Sequence, residues 1–233
     1  MASITQDDRL LRFDSALGSD ELILHGLNGE EKVSDLFCFD LELFSSDPNL
    51  SAEKIVGTAA DIEIHNGVDG DKVRYINGIV SRFVAGRFEG GTRHYRAQMV
   101  PWFWLLMHTS NCRIYQAQSA KDIITAIFGD HGFSKYEFRS ITCEKRDYCV
   151  QFGESDFNFI SRLLEEEGIS YHFIHSKGDH KLILTQSNQS FEQCDESEAI
   201  VDYGNRPGEN FISSWERHYS FTSGKWSHND YDF

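Results

Sequence analysis

Apolar and polar residues alternate with a period of two through much of the first hundred positions. From Leu36 to Phe44, Phe37, Phe39, Leu41 and Leu43 fall on one face, while Asp40 and Glu42 fall on the other. That is the pattern of a strand in an antiparallel sheet or barrel wall with one wet face. Glu21–His25 and Asp61–His65 are shorter examples, and Asn66–Asp71 reads as a turn cluster. A longer strand follows, from Lys72 to Phe88, carrying Val73, Tyr75, Ile79 and Phe83. Gly78 interrupts it, which predicts a bulge or a barrel corner there. Glu89-Gly90-Gly91-Thr92 reads as a hairpin turn returning through His94 to Val100. The first hundred residues thus predict a small antiparallel barrel.

The period changes at Pro101. Pro101 to Met107 is apolar without alternation and predicts a short buried helix or turn leaving the barrel. Two helical patterns follow. In the first, Ser119 and Asp122 form a capping box, Ile123, Ile124, Ile127 and Phe128 make the apolar face, and Gly129 or Gly132 ends it. The second begins near Ser155 or Asp156, carries Phe157, Ile160, Leu163 and Leu164, and stops at Gly168. Tyr148, Val150 and Phe152 predict a strand between them, and Ile169 to Leu184 predicts a hairpin turning at Ser176–Asp179. After a polar loop, alternation resumes from Phe211 to Phe221, and a strand pattern ending without partners suggests that the chain stops inside a longer protein. The expected fold is β-rich α+β: a first β-barrel subdomain over 1–105, an inserted α+β subdomain over 106–200, and the start of a second β-barrel over 201–233.

Composition narrows the function. The chain has 233 residues, 40% of them apolar and 13% aromatic, with 18 Phe and only 3 Pro, enough to bury a real core and weighted toward sheet. Lys and Arg number 22 against 37 Asp and Glu, a net charge of -15. Nucleic-acid binding relies on basic surface that displaces counterions, so this balance argues against nucleic acid and anionic membrane as partners. The five cysteines are scattered and odd in number, which fits free thiols in a reducing cytosol rather than a disulfide framework. The first residues lack the cationic and apolar regions of a signal peptide, and no apolar run approaches the roughly 20 residues that span a bilayer. Export, if it occurs, is expected by a route that reads no N-terminal signal.

Candidate chemistry is sparse. His172, His175 and His180 invite a metal reading, but His172 and His175 are three apart on a strand and face opposite ways. Cys143 and Cys149 would sit roughly 20 Å apart on a continuous strand, too far for a disulfide or a shared metal. No nucleophile elbow, phosphate loop or zinc-protease motif is present. No catalytic, cofactor-binding or metal residue is therefore assigned, and the chain is expected not to be an enzyme. The oddest local feature is Glu165-Glu166-Glu167 at the end of the second helix, where the helix dipole disfavours carboxylates and Arg162 offers partial compensation. These four residues are candidates for a subunit or partner interface, against the plainer reading of a solvated helix end.

Several ordered signatures resemble the VgrG family of type VI secretion spike proteins. They are Leu36-Phe37-x-Phe39-x-Leu41-Glu42-Leu43 with Ser46-Asp47-Pro48, Gly78–Phe83, Tyr95-Arg96 leading to Pro101–Leu106, and Arg113–Gln116. The most specific are Tyr148–Phe157, Ser161–Ile169 and, at the end, Asp230–Phe233. The resemblance implies a fold like the phage tail baseplate hub and a structural role, adapting a trimeric spike to the hexameric Hcp tube and baseplate during contractile effector delivery. It implies a homotrimer for the complete protein, with Hcp tube protein, baseplate components and effectors as partners, the effectors through C-terminal parts that this chain lacks. It implies no cofactor, and a cytoplasmic location in the producing bacterium followed by type VI export. The alternatives are a β-rich carbohydrate-binding module using Trp102, Trp104 or Trp215 and, third, a glycoside hydrolase using paired carboxylates.

Overall fold

The computed structural model describes residues 5–65, 73–192 and, near the C-terminus, Ser214, 216–221, Gly224, Lys225 and Ser227. Residues 1–193 form one compact unit and residues 194–233 a second. The turn cluster expected at 66–71 lies outside the described residues, as does most of 201–233, where a second barrel is expected to begin. No helix is long and apolar enough to cross a membrane among the described residues.

The first unit opens with a six-stranded antiparallel sheet: β1 Leu11–Asp14, β2 Ile23–Glu30, β3 Cys38–Ser45, β4 Ala59–His65, β5 Val73–Glu89 and β6 Thr92–Val100. Their spatial order is β1-β4-β5-β6-β3-β2. The sheet curls into a half-barrel, bringing its two edge strands β1 and β2 near each other. Phe37, Phe39, Leu41 and Leu43 all turn inward and are buried, as the alternation predicts. They pack with Phe13, Leu22, Leu24, Ile62, Ile76, Val80, Tyr95 and Met99 into one core. The β5–β6 turn is the two-residue loop Gly90-Gly91, both at positive φ (62° and 84°), the primed geometry that matches the twist of a hairpin.

Strand β5 differs from its expected form in an informative way. Ladder irregularities fall between Val80 and Arg82 and between Ala85 and Phe88, not at Gly78. Before the first, even-numbered Ile76 and Val80 face the half-barrel core, while Ile79 packs on the other side. The extra residue, Ser81, flips the phase, so odd-numbered Phe83 now faces the half-barrel core and stacks on Tyr95 at 5.0 Å. Gly78 stays regular because neighbours leave no room: a Cβ there would meet Met99 Cγ at 2.7 Å and the Val100 carbonyl at 3.0 Å.

The 3-10 helix Trp102–His108 leads into a second layer. A two-stranded antiparallel ribbon pairs β7 Ser110–Ser119 with β9 Lys145–Ser155. Helices α1 Ala120–Asp130 and α2 Asp156–Glu166 pack on it. β8 Tyr136–Arg139, β10 Ser170–Ser176 and β11 Asp179–Thr185 make a three-stranded sheet, with β11 antiparallel to β10 and parallel to β8. α1 has the expected capping box: the Ser119 hydroxyl accepts from the Asp122 N–H, and the Asp122 carboxylate accepts from the Ser119 N–H. Ser155 caps α2 and Gly168 follows its end. Ile123, Ile124, Ile127, Phe128, Phe159, Ile160, Leu163 and Leu164 form the second core with Trp102, Phe103, Tyr171 and Leu184.

β9 forms as the alternation predicts; Tyr148 and Phe152 point outward, 58% and 83% exposed, whereas Cys149 and Gln151 point into the core.

Two glycine substitutions should move stability in opposite directions in urea unfolding. Gly78→Ala should cost about 1–3 kcal/mol, since the added methyl group overpacks Met99 and a backbone carbonyl. Gly129→Ala, in a helical position with nothing within 4 Å of the new Cβ, should gain up to about 1 kcal/mol.

Candidate functional site

Three of the four residues singled out by sequence, Arg162, Glu166 and Glu167, come together in an ion-pair brace. Arg162 Nη2 donates to Glu154 Oε1 at 2.7 Å and to the Val150 carbonyl at 3.1 Å, while its Nη1 donates to Glu166 Oε1 at 3.2 Å. Arg146, which the sequence reading does not name, contacts the other oxygen of Glu166 and donates to Glu167 Oε1 at 2.6 Å. Glu166 thus sits between two guanidiniums. Partial burial would raise its pKa, but Arg146 and Arg162 outweigh that and hold it below the usual carboxylate range. The arrangement clamps the end of α2 onto β9. Glu165 is exposed and has no ion-pair partner among the described residues.

Two buried polar networks escape the sequence reading. The first centres on Asp156, fully buried at the first turn of α2, where the helix N-terminus favours an anion. It accepts from Gln151 Nε2 at 2.7 Å and Thr109 Oγ1 at 3.1 Å, and it pairs with His131 Nε2 at 2.7 Å. His131 caps the C-terminal end of α1, where positive charge is favoured. Burial alone would raise the Asp156 pKa, yet these three bonds and nearby Arg113 hold it below its ordinary value. This carboxylate ties α1, α2, β7 and β9 together and lies too deep to act on a substrate.

The second network joins the half-barrel to the β10–β11 hairpin. The Trp102 N–H donates to His180 Nε2 at 2.9 Å. The lone pair is therefore on Nε2, and Nδ1–H donates to Asn77 Oδ1 at 2.7 Å. Asn77 Nδ2 in turn donates to Asp61 Oδ1 at 3.0 Å, which also accepts from the Gly178 N–H at 2.9 Å. His175, directly across the hairpin from His180, sits between Asn77 and Glu31, with Nε2 3.0 Å from Glu31 Oε1. Phe37 packs against Phe173, His175 and His180 from the half-barrel side. His172 lies away from this cluster, against Phe191 at 4.9 Å.

Other candidates are dispersed. Among the described residues no three His, Cys, Asp or Glu side chains converge as a metal site. Cys149 is a buried core residue and Cys143 packs at the margin of the same core. Trp102 is buried against Phe128 and Phe133, Trp104 packs on His108, and Trp215 lies outside the described residues. A groove of about 530 Å³ runs along the outer face of β2, β3, β5 and β6, lined by Asp40, Glu42, Arg82, Arg96 and Gln98 among others. Its lining carries no aromatic side chain on which a sugar ring could stack.

Comparison with known proteins agrees with this scaffold-like character. Residues 30–233 match the phage tail baseplate hub (GPD) family. The chain is 37% identical over 234 residues to the type VI secretion system spike protein VgrG1c of Pseudomonas aeruginosa, covering 98% of this chain and 32% of the relative. It is 36% identical over 238 residues to VgrG1b of the same organism, covering 99% of this chain and 31% of that relative. It thus spans about a third of these relatives. Among solved structures, E. coli c3393 aligns with a TM-score of 0.65 at 22% identity, over 74% of this chain and 50% of that one. That protein is described as a type VI secretion component structurally similar to the T4 tail proteins gp27 and gp5.

The His180 network makes stability depend on pH. Burial, with nearby His175 and against the pull of Asp179, pushes the His180 imidazole down to about 4 from its ordinary 6.5. A depressed imidazole pKa means that the unfolded chain binds the extra proton first. The contribution is complete above pH 6.5 and is lost as pH falls toward 4, on the order of 3 kcal/mol in all. Urea unfolding between pH 7 and 4.5 should show this slope, and His180→Gln should flatten it.

Proposed function

The chain belongs to the phage tail baseplate hub family, and on that premise we propose that it forms the hub region of a type VI secretion spike. The observation that carries the proposal is its similarity, over nearly its whole length, to spike proteins of that system. The role is structural: a rigid body that seats a homotrimeric spike on the hexameric Hcp tube and the baseplate, with effectors carried elsewhere on the complete protein. Its division is a first β-barrel subdomain over 1–105, an α+β insertion over 106–200 and the start of a second barrel over 201–233. It works in the cytoplasm of the producing bacterium and leaves through the type VI apparatus.

The internal chemistry supports this non-enzymatic reading. The two buried groups that centre these networks, Asp156 and His180, have their hydrogen-bonding capacity turned to neighbouring elements. General acid–base work needs such a group within reach of a substrate proton. Arg162, Glu165, Glu166 and Glu167 form part of the partner-facing surface, with Glu165 the group most free to meet a basic side chain of the baseplate or the tube.

A deletion tests the role. In a bacterium whose apparatus uses this protein as its spike, removing residues 11–185 in frame should abolish release of tube protein into the medium. Release at the parental level would contradict the proposal.

A further inference from the structure

Two imidazoles stand side by side at the joint between the half-barrel and the second layer. His175 and His180 are paired directly across the β10–β11 hairpin, with ring centroids 6.1 Å apart. His175 can serve its neighbours charged or neutral. Its Nε2 faces Glu31 Oε1 at 3.0 Å, and its Nδ1 lies 3.2 Å from the Asn77 amide nitrogen and 3.1 Å from the Asn77 carbonyl oxygen, so that nitrogen can accept or donate. His180 serves its neighbours only when neutral. Its Nε2 must keep a lone pair for the Trp102 N–H, and a second proton would set two N–H groups against each other across 2.9 Å. Phe37, Phe173 and His175 pack around the His180 ring. The carboxylates of this region are engaged elsewhere: Asp61 with Asn77 Nδ2 and the Gly178 N–H, and Asp179 with Lys135.

We infer that this joint is a proton-operated catch: protonation of His180 releases the β10–β11 hairpin from the half-barrel while each core stays folded. The joint is largely polar. Across it run the Trp102–His180–Asn77–Asp61 chain, the His175–Glu31 contact, with Glu31 shared by Arg74, and the Lys177–Glu63 pair, with Glu63 shared by His65. Its apolar contacts come from Leu36, Phe37, Ile79 and Phe173. The core around Leu41 and Val80 on one side and the core around Phe159 and Leu182 on the other are separate clusters, so neither must break for the joint to part.

The direction and the window follow from His180. Opening returns its imidazole to the ordinary 6.5, whereas burial in the closed joint pushes it down to about 4. The opened form therefore takes the proton first. The closed joint is favoured in full above pH 6.5 and loses that preference as pH falls toward 4. Glu31 and Glu63 are held below their ordinary range by hydrogen bonds to His175 and Lys177, against partial burial, so they keep their charge where His180 gains its own. From pH 7 to 4.5 the opening constant should rise roughly 50-fold.

Hydrogen exchange of the 233-residue chain, followed by NMR at pH 7 and 4.5 in low urea and corrected for intrinsic exchange chemistry, tests the catch. The Trp102 and Asn77 amides, which donate to the two histidines, should exchange through an opening that grows roughly 50-fold and responds little to urea. Amides of β3 and α2 should still exchange only by the urea-sensitive global route. His180→Gln, whose amide can accept from Trp102 and donate to Asn77 without titrating, should keep the joint closed at pH 4.5. An opening constant that does not change with pH, one with the full urea dependence of global unfolding, or an undiminished rise in His180→Gln overturns the inference. The imidazole nitrogen shifts of the wild-type chain give a reading that needs no variant: a protonated His180 beside a Trp102 amide with its pH 7 protection overturns it too. The inference rests on the geometry of the joint and is independent of the hub proposal.

Discussion

The structure of residues 1–193 depends on one strand serving two cores. Through its first half, β5 sends Ile76 and Val80 into the half-barrel and turns Asn77 and Ile79 toward the second layer. The price of that arrangement is a buried amide, Asn77, and a buried imidazole, His180, each of which would be costly if left unpaired. They satisfy each other, and His180 also takes the Trp102 N–H just where the chain leaves the half-barrel. Fixing that amide fixes the direction of the 3-10 helix and so the seat of everything after it.

The remaining local irregularities follow from that demand. The bulge at Ser81 restores the inward phase once β5 has passed the second layer, which brings Phe83 onto Tyr95. Tyr95 in turn donates to the Asp47 carbonyl and accepts from the Leu50 N–H, holding the loop after β3. Asp156 plays a similar part within the second layer, joining the start of α2, whose dipole favours its charge, to His131 at the end of α1. Much of the signature from Tyr148 to Phe157 is accounted for in this way. Gln151 and Ser155 serve Asp156 and the start of α2, and Glu154 receives Arg162. The chemistry of the signature is structural.

Much of this was legible in the sequence. The buried face of β3, the Gly90-Gly91 turn, the Ser119 capping box and the stop at Gly168 follow from local patterns that tertiary contacts reinforce. Gly78 shows a limit: its lack of a side chain reads locally as a bulge, but the reason is the approach of Met99 from another strand. His180 and Asn77 are 103 positions apart, and neither carries a local signal of the other. Arg146 is likewise 20 positions from the carboxylate it braces. Apolar alternation in β9 marked the strand but not its buried face, which is set by the helices: Cys149 and Gln151 fill the space against them while Tyr148 and Phe152 stay outside.

The structural role proposed above requires the half-barrel and the second layer to behave as one rigid body, joined by the Asn77, His180 and Trp102 contacts. Native-state hydrogen exchange tests this directly. Slowly exchanging amides of β3, β5 and β6 should open at the same free energy, and with the same denaturant dependence, as those of α2 and β11. Exchange of the β10–β11 and helical amides through a lower-energy opening, with the half-barrel still protected, would contradict it.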